Sequence, residues 1–348
     1  SWTLQGGDYP VLAWEEGKLP DTPSSNTVVE PPVCEEVSYE GSGARDNPYL
    51  ITTVGQLQCI NNNQLNGPGP SDSYRLDADI DARGTPVWND GSGFEPIKPF
   101  TGRFDGAGYE IKGLTIDRSD SQNVGLFGSA EAQITDVTLT DADITGDEAT
   151  GALVGSLDGT VRSSSVDDSS ISGSTTGGLV GEDTADSVIV SSSADVDELS
   201  VTGGSGGGVI GAHEGSITQS YATGSIDPET GNIGGLTGKS SGSINKSFAS
   251  VEIGDVNVNR DVTSFGGLVG NLQDGGEVTR TYANGTVTVS NNNRRDSANN
   301  KGGLIGESTG TVSLSYAAVE TNGAGFIGSN TGAAAVSYYD TVESGVDS

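Results

Sequence analysis

Methionine is absent from this 348-residue chain, histidine occurs once, and 16 Lys and Arg stand against 48 Asp and Glu. The formal net charge of −32 excludes the basic footprint that nucleic acid phosphates require. An anionic membrane surface would repel the chain for the same reason. No apolar run of about 18 residues and no signal peptide occur, so we predict no membrane span. Without an initiator methionine, the chain is expected to be a processed or excised product.

The acidic residues are spread over nearly every segment instead of clustering at the spacing of cation ligands. Very high salt screens the self-repulsion of such a chain, because the Debye length falls to about 3 Å at 1 M. The acidity therefore indicates a halophilic source, such as a halophilic archaeon, more than it indicates divalent-cation binding.

Asp77, Asp79 and Asp81 alternate with apolar residues along a predicted strand and are weak candidates for a structural Ca²⁺ site. Calcium takes about six to eight converging oxygens, whereas a strand spreads these three carboxylates over about 13 Å. We predict a solvated acidic face, with no metal and no cofactor.

Two cysteines, Cys34 and Cys59, enclose 24 residues near the start of the chain. In a secreted protein we expect a disulfide, worth roughly 3 kcal/mol by loop closure; two separately buried thiols are the alternative. Two sequons, Asn245-Lys246-Ser247 and Asn284-Gly285-Thr286, make Asn245 and Asn284 candidates for glycosylation and fit an extracellular location.

Hydrophobic residues make up only 32% of the chain, whereas 54 residues are glycine. This hydrophobic content is too low for an ordinary globular core. The apolar residues are nevertheless periodic, because a Gly-x-hydrophobic-x-Gly core recurs eight times. Its closing glycines are Gly128, Gly155, Gly181, Gly211, Gly238, Gly270, Gly306 and Gly328. Their spacings are 27, 26, 30, 27, 32, 36 and 22 residues, as in a repeat protein.

A β-branched residue follows each core by six to eight positions: Ile134, Val161, Val188, Ile217, Ile244, Val278, Val312 and Val336. Ser/Thr-aromatic-small triplets come next in most copies, as in Ser220-Tyr221-Ala222, and a further Val or Ile often follows. Three short strands in about 27 residues, separated by turn residues, predict one coil of a β-helix. The fold class is therefore all-β, a β-solenoid of about eight or more coils.

Five aromatic residues occupy one position of successive coils: Tyr221, Phe248, Tyr282, Tyr316 and Tyr338. Coils stacked at about 4.8 Å place like residues in columns, so the five rings should form one ladder. We expect a packing column, since an aromatic sugar-binding stripe would require the rings to face outward.

The Gly-Leu-hydrophobic-Gly core resembles that of the GLUG-motif family of bacterial and archaeal surface proteins. The resemblance covers most of the chain and extends upstream to Asn47-Pro48-Tyr49-Leu50-Ile51 and Phe100-Thr101-Gly102-Arg103-Phe104. It implies an adhesin-like exported protein at the cell surface, and it brings no general catalytic residues.

Thr53-Val54-Gly55-Gln56 has the spacing of a capping box, and Leu57 and Ile60 share one apolar face. This pattern predicts a short helix over roughly 54–62 that caps the open N-terminal end of the solenoid. We therefore divide the chain into an N-terminal donor and linker segment, 1–33, a capping region with the first coils, 34–120, and the GLUG-repeat solenoid, 121–348.

The two ends of the chain do not match. In the resembled family a Trp-containing stretch ending in Gly-Tyr-Pro-x-Leu closes a unit after its last coil, whereas here Gly7-Asp8-Tyr9-Pro10-Val11-Leu12 stands first. One hypothesis is head-to-tail donation of this segment to the C-terminal coil of the next copy, giving a filament. The residues predicted to dock are Trp2, Tyr9, Pro10, Val11, Leu12, Trp14, Tyr338 and Tyr339. The alternative is an excised domain of a large tandem-repeat adhesin.

A polysaccharide-active β-helix enzyme is the competing class of function. Such chemistry needs convergent carboxylates or a base beside a cation. We expect His213 to be an exposed turn residue and the pairs Asp141, Asp143 and Asp167, Asp168 to be surface charges, so we predict no enzyme. The expected partners are copies of the chain or neighbouring repeats of a longer chain, and cell-surface glycans or proteins.

Overall fold

The computed structural model describes residues 30–61, 68–254, 264–288 and 300–339, together with the backbone of two short strands, Trp2–Thr3 and Val11–Leu12. Within these residues the chain coils through four parallel sheets, in which each strand pairs with the equivalent strand of the next coil. The predicted β-solenoid is confirmed, with about seven turns and one short α-helix near the N-terminus.

We name the sheets I to IV. Sheet I contains Tyr49–Ile51, Ser73–Leu76, Arg103–Asp105, Gln133–Thr135, Thr160–Arg162, Val188–Val190, Ser216–Thr218, Ser243–Asn245, Glu277–Thr279, Thr311–Ser313 and Ala333–Ala335. Sheet II contains Ile80–Asp81, Glu110–Lys112, Thr115–Asp117, Thr138–Thr140, Asp143–Thr145, Ser165–Gly173, Ser193–Val201, Tyr221–Pro228, Phe248–Ile253, Tyr282–Val287, Tyr316–Thr321 and Tyr338–Tyr339.

The other two sheets are narrower. Sheet III contains Thr150–Gly151, Thr176–Gly177, Ser205–Gly207, Asn232–Gly234, Ser264–Gly266 and Asn300–Gly302. Sheet IV contains Phe127–Ala130, Val154–Leu157, Val180–Asp183, Ile210–His213, Thr237–Ser240, Val269–Leu272, Ile305–Ser308 and Ile327–Asn330.

Each of the eight predicted glycine cores supplies one strand of sheet IV. The closing glycines are needed because neighbouring backbones approach closely there: a Cβ added at Gly181 would lie 2.6 Å from the carbonyl oxygen of Gly155. Such a contact is shorter than side chains tolerate, so only glycine fits. The repeated glycines therefore allow the backbone segments of the solenoid to pack closely, which gives each coil a narrow cross-section.

The inward column of sheet I confirms most of the predicted β-branched positions, because Ile134, Val161, Ile217, Ile244, Val278 and Val312 are all fully buried. Two of the eight residues lie off this column. Val188 lies beside the inward position, which Ile189 occupies in register with Val161. Val336 is 64% exposed at a corner, and Ala334 takes the register position of Val312.

Each coil passes from sheet I to sheet II through a corner residue with positive φ: Asp136, Ser163, Ser191, Gln219, Lys246, Arg280, Leu314 and Val336. The next residue is a serine or threonine in seven of these corners: Ser164, Ser192, Ser220, Ser247, Thr281, Ser315 and Ser337. The Ser220 hydroxyl donates to the Thr218 carbonyl at 3.0 Å and accepts from the Ser192 amide at 3.2 Å. The serines of the predicted triplets thus form a buried hydrogen-bond ladder that links successive coils.

Replacing Ser220 with alanine is expected to lower the free energy of unfolding by about 1–3 kcal/mol, because the buried Ser192 amide loses its acceptor. Ser220→Thr keeps a hydroxyl that can accept from the Ser192 amide and should stay nearer the parent stability. Guanidinium titration followed by circular dichroism measures both variants. Equal losses in the two variants would contradict a role for the hydroxyl.

The N-terminal end of the solenoid carries the predicted cap. Helix α1, Val54–Gln58, begins with the predicted capping box between Thr53 and Gln56, and a 3₁₀ turn, Cys59–Asn61, continues it. Leu57 and Ile60 are fully buried in the core. Further 3₁₀ turns are Cys34–Glu36, Thr85–Val87 and Asn89–Gly91. No helix in the described ranges is long and apolar enough to cross a bilayer.

A disulfide joins Cys34 to Cys59, and it fastens the segment before the first coil to the end of the cap. The Gln58 side chain exchanges two hydrogen bonds with the backbone of Glu95, at 2.9 and 3.1 Å. Together these contacts hold the cap on the first coils. Of the predicted linker 1–33, residues 4–10 and 13–29 lie outside the described residues.

Candidate functional site

The aromatic ladder lies on the outer face of sheet II. Tyr221, Phe248 and Tyr282 stack with centroid distances of 4.8 and 4.7 Å and interplanar angles of 3° and 4°. Tyr316 and Tyr338 continue the same register column. Tyr221 is 39% exposed and Tyr282 is 43% exposed. The predicted ladder is confirmed, but the expectation that it packs inside the coil was wrong.

The glycine cores explain why the rings point outward. The alanine after each of the first four aromatic residues is fully buried, as at Ala249 and Ala283. It packs against the second glycine of the neighbouring core, so that a Cβ on Gly235 would lie 2.8 Å from Ala249 Cβ. The coil is too thin here for a ring, because glycine and alanine already fill it.

The ladder has an end. Its register column continues towards the N-terminus as Ser193 and Ser165, which carry no ring. One face of Tyr221 is stacked on Phe248, and its other face has no aromatic neighbour in the column. Both faces of the Phe248 ring are stacked on neighbouring rings. Tyr221, in contrast, has one ring face that no other aromatic residue of the column covers.

A second outward row runs beside the ladder, two positions further along each strand. It changes from acidic to neutral where the rings begin: Asp167, Asp195, Thr223, Ser250 and Asn284. Burial raises the pKa of the Asp167 carboxyl, with a hydrogen bond from Ser165 opposing this and the charges of Asp195 and Asp168 reinforcing it. The row therefore presents hydroxyl and amide groups next to the aromatic rings.

A third outward row alternates hydroxyl and carboxylate groups from one coil to the next: Thr115, Asp143, Ser170, Glu198, Ser225, Glu252, Thr286 and Glu320. Like charges on adjacent strands would repel each other. The alternation separates the carboxylates by two coils, about 9.6 Å, close to the Debye length in moderate salt. The acidic face is thereby tolerated in a parallel stack.

Sheet II bends between the second and third rows. The inward residue at the bend alternates between valine and glycine, in the order Val196, Gly224, Val251, Gly285 and Val319. Gly224 and Gly285 have φ of 107° and 112°, a region that residues with a Cβ rarely adopt. The inward residue in register with Ile226 is Ile253, two positions after Val251.

A groove of about 410 Å³ follows this bend across four consecutive strands. Its polar lining groups are Asp195, Asp197, Ser225, Ser250 and Glu252. Every ionisable side chain that lines it is an acid. The groove lies directly beside the ladder, because Tyr221 and Ser225 are outward residues of one strand and Phe248 and Ser250 of the next.

His213 does not lie on an exposed turn, so that expectation was wrong. It ends the strand Ile210–His213 and points into the solenoid, where its side chain and that of Asp183 have no exposed area. Its Nδ1 lies 2.9 Å from Asp183 Oδ2, and its Nε2 lies 3.4 Å from the Ser243 carbonyl. An alignment of the repeats indicates that His213 faces inward, because the residues at the same register position in other coils include Leu157 and Leu272.

The candidate calcium ligands have other partners. Asp79 accepts a hydrogen bond from the Glu110 amide at 3.0 Å. Asp81 pairs with Arg83 at 2.7 Å, and the hydrogen bonds from Arg83 lower the pKa of Asp81 to about 2. Asp77 lies between the two strands that hold this segment, Ser73–Leu76 and Ile80–Asp81. Across the described ranges, no three His, Cys, Asp or Glu residues are placed to hold a metal ion.

Of the other predicted surface charges, Asp141 pairs with Lys112 at 2.8 Å. The two sequons differ in accessibility. Asn284 is exposed on the second row, beside the groove. Asn245 is half-buried, its Oδ1 is enclosed, and the Ser247 hydroxyl of its sequon is a buried member of the serine ladder. Asn284 is thus the sequon that the folded chain presents to solvent.

The C-terminal coils expose an apolar corner. The corner residues are polar from Asp136 to Arg280, but the last two are Leu314, 50% exposed, and Val336, 64% exposed. Tyr338, 68% exposed, comes two residues after Val336. Among residues 30–61, 68–254, 264–288 and 300–339, no further strand pairs with the outer edge of the last strands of sheets I, II and IV.

The predicted docking residues of the N-terminal segment are described only in part. Trp2–Thr3 pairs antiparallel with Val11–Leu12 as a separate two-stranded sheet. Tyr9, Pro10 and Trp14 lie outside the described residues, and Tyr339 is described only as backbone.

No family model matches the chain, so membership of the GLUG family stays a prediction from the motif. Halomucin of Haloquadratum walsbyi is 48% identical over 127 residues, which are 35% of this chain and 1% of halomucin. A candidate Gly-rich membrane protein of Evansella cellulosilytica is 37% identical over 125 residues, 34% of this chain and 14% of that protein.

Among solved structures, a candidate immunoglobulin A1 protease from Bacteroides ovatus shares the fold, with a TM-score of 0.60 over 86% of both chains at 18% identity. The chain is therefore similar to short segments of two longer proteins and has the fold of a solved structure.

Proposed function

We propose that this chain is an extracellular, adhesive and structural solenoid of a halophile, which assembles head to tail through its C-terminal coil. The acidic composition and the similarity to halomucin of Haloquadratum walsbyi support the halophilic setting. The GLUG-like cores support a cell-surface role. An excised domain of a longer tandem array, with its neighbours joined covalently, is the alternative.

The observation that carries the assembly proposal is the apolar corner made by Leu314, Val336 and Tyr338. At the equivalent corners of earlier coils the residues are polar, as at Gln219. Val336 is also β-branched and has a φ of 46°, so it is held in a strained conformation while its side chain gains no burial from its own coil. Apolar surface of this kind marks an interaction site.

The proposed occupant is residues 1–14 of a second copy, which contain Trp2 and Trp14. The two ends of the solenoid differ in the way that such an assembly needs. Helix α1 and the disulfide cover the N-terminal coils, whereas no described strand pairs with the outer edge of the last strands, where a further strand could add.

The double variant Leu314→Gln with Val336→Ser tests this assembly. We expect the parent chain to form rods of increasing length with concentration in high salt, and the variant to stay monomeric with unchanged circular dichroism. Multi-angle light scattering and negative-stain microscopy report both. A variant without residues 1–14 should behave like the double variant.

Gln219→Leu is the matched control, because it places an apolar residue at the same corner in the middle of the solenoid and should not change assembly. A parent chain that is monomeric at every concentration would contradict the proposal, as would rods that persist without residues 1–14.

We also propose that the chain is not an enzyme. The solved structure that shares its fold is named as a candidate protease, but a fold does not determine an activity. The chain has one histidine, whose side chain is buried against Asp183, and both cysteines are in the disulfide. The groups on which serine and cysteine proteases most often depend are therefore out of a substrate's reach.

A further inference from the structure

We infer that the groove beside the aromatic ladder binds a linear, neutral oligosaccharide, with one sugar ring stacked on the open face of Tyr221. This deepens the proposed adhesive function by naming the class of ligand, but it does not depend on head-to-tail assembly. It rests on the ladder end, the groove and the side chains that line them.

The ladder end provides the stacking surface. A sugar presents an apolar C–H face, and an aromatic ring can pack on it only where a ring face is open. Within the described ladder, Phe248 is stacked on both sides, whereas Tyr221 is followed in its column by Ser193. The side of Tyr221 towards Ser193 is therefore not stacked on another ring of the column, and we place the sugar ring there.

The groove provides the hydrogen bonds. Carboxylates accept hydrogen bonds from sugar hydroxyls, and Asp195, Asp197 and Glu252 all line the groove. Ser225 and Ser250 can both donate and accept. A few polar groups of this kind beside an aromatic surface are typical of a site that fixes the orientation of a small polar ligand.

Charge decides which sugars fit. Among the residues that the structure describes, three carboxylates and no cation line the groove, so these groups would repel a uronate or a sialylated chain. The row nearest the rings is neutral in the coils that carry them, with Thr223, Ser250 and Asn284. On the open side of Tyr221 the same row carries Asp195, whose carboxylate can accept hydrogen bonds from the hydroxyls of a neutral sugar and repels an anionic one.

The shape of the groove indicates a chain of sugars. It crosses four strands, so that three strand spacings give it a length of about 14 Å along the solenoid axis. That length suits two or three sugar rings in an extended chain, with the chain direction parallel to the stack of coils.

Isothermal titration calorimetry with hexasaccharides of three classes tests the inference: neutral hexoses of different linkage, amino sugars and uronates. The chain is produced in a host without N-glycosylation, so that Asn284 is unmodified. The chain also carries Leu314→Gln with Val336→Ser, so that sugar binding is measured on the non-assembling variant. A failure to assemble and a failure to bind sugar are then separate results. We expect at least one neutral hexasaccharide to bind and the uronates not to bind.

Tyr221→Ala should weaken that binding about tenfold, and Glu252→Gln should weaken it severalfold, because an amide accepts less strongly than a carboxylate. Tyr338→Ala is the matched control: it removes the same side chain from the same column, away from the groove, and should leave the affinity unchanged. Binding of none of the neutral sugars would overturn the inference. So would binding of amino sugars alone, or equal losses in Tyr221→Ala and Tyr338→Ala.

Discussion

Replacing Asp183 with alanine is expected to lower the free energy of unfolding by about 3–5 kcal/mol, because it removes a buried carboxylate that accepts several hydrogen bonds and leaves its partners unsatisfied. Asp183 accepts from the amides of Glu214 and Gly215 through Oδ1 and contacts His213 through Oδ2. The substitution leaves the His213 ring and these amides without their acceptor inside the solenoid. Denaturation in guanidinium, followed by circular dichroism, measures the loss.

Two comparisons make this result specific. Asp183→Leu with His213→Leu should be more stable than Asp183→Ala, because Leu157 and Leu272 already occupy the same inward column and the double variant leaves no unpaired histidine ring in the core. Asp81→Asn breaks the exposed pair with Arg83 and should cause no measurable change. Equal stability of Asp183→Ala and Asp81→Asn would contradict the buried role.

Salt should discriminate between these variants as well. Buried charges are screened far less than exposed ones, so the loss in Asp183→Ala should persist in the high salt that this acidic chain is expected to need. Repeating the titration at low and high salt checks this, and a loss that disappears in high salt would show that solvent reaches Asp183.

The solenoid could be predicted from the sequence because its glycine cores recur in phase. Each core restricts two sheets at once, since Gly181 approaches the backbone of the neighbouring coil and Gly235 faces Ala249. The capping helix could be predicted for a similar reason, because the box between Thr53 and Gln56 is a local pattern with a local cause. Where the sequence signal and the physical cause lie in the same few residues, prediction succeeds.

The candidate binding face could not be predicted from the sequence. Which residues of each strand face outward depends on how large a side chain the interior of the coil can hold. In Ser220-Tyr221-Ala222 either the ring or the alanine could face inward on the basis of alternation alone. Gly208 and Gly235 settle the choice, since they leave space for no more than a methyl group against Ala222 and Ala249. His213 was misplaced for a related reason: its inward column is visible only when Leu157 and Leu272 are aligned with it.

The bend that creates the groove is the feature most sensitive to a single methyl group. Gly224→Ala is expected to destabilise the chain by about 2–5 kcal/mol, from a strained backbone and an overlap with a neighbour. The φ of Gly224 is 107°, and an added Cβ would overlap the Val196 carbonyl oxygen. Thermal or guanidinium unfolding followed by circular dichroism measures the loss.

Gly254→Ala is the matched control, because an added Cβ there would lie 3.5 Å from the Ile226 carbonyl oxygen, an ordinary contact, and it should be nearly neutral. Gly285→Ala, at the second glycine of the bend, should behave like Gly224→Ala because its φ is 112°. If Gly224→Ala and Gly254→Ala were equally stable, the bend would not need glycine. If instead Gly224→Ala is destabilised and folded chains of this variant also lose the neutral hexasaccharide, the alternation of valine and glycine both shapes the groove and keeps it open for a ligand.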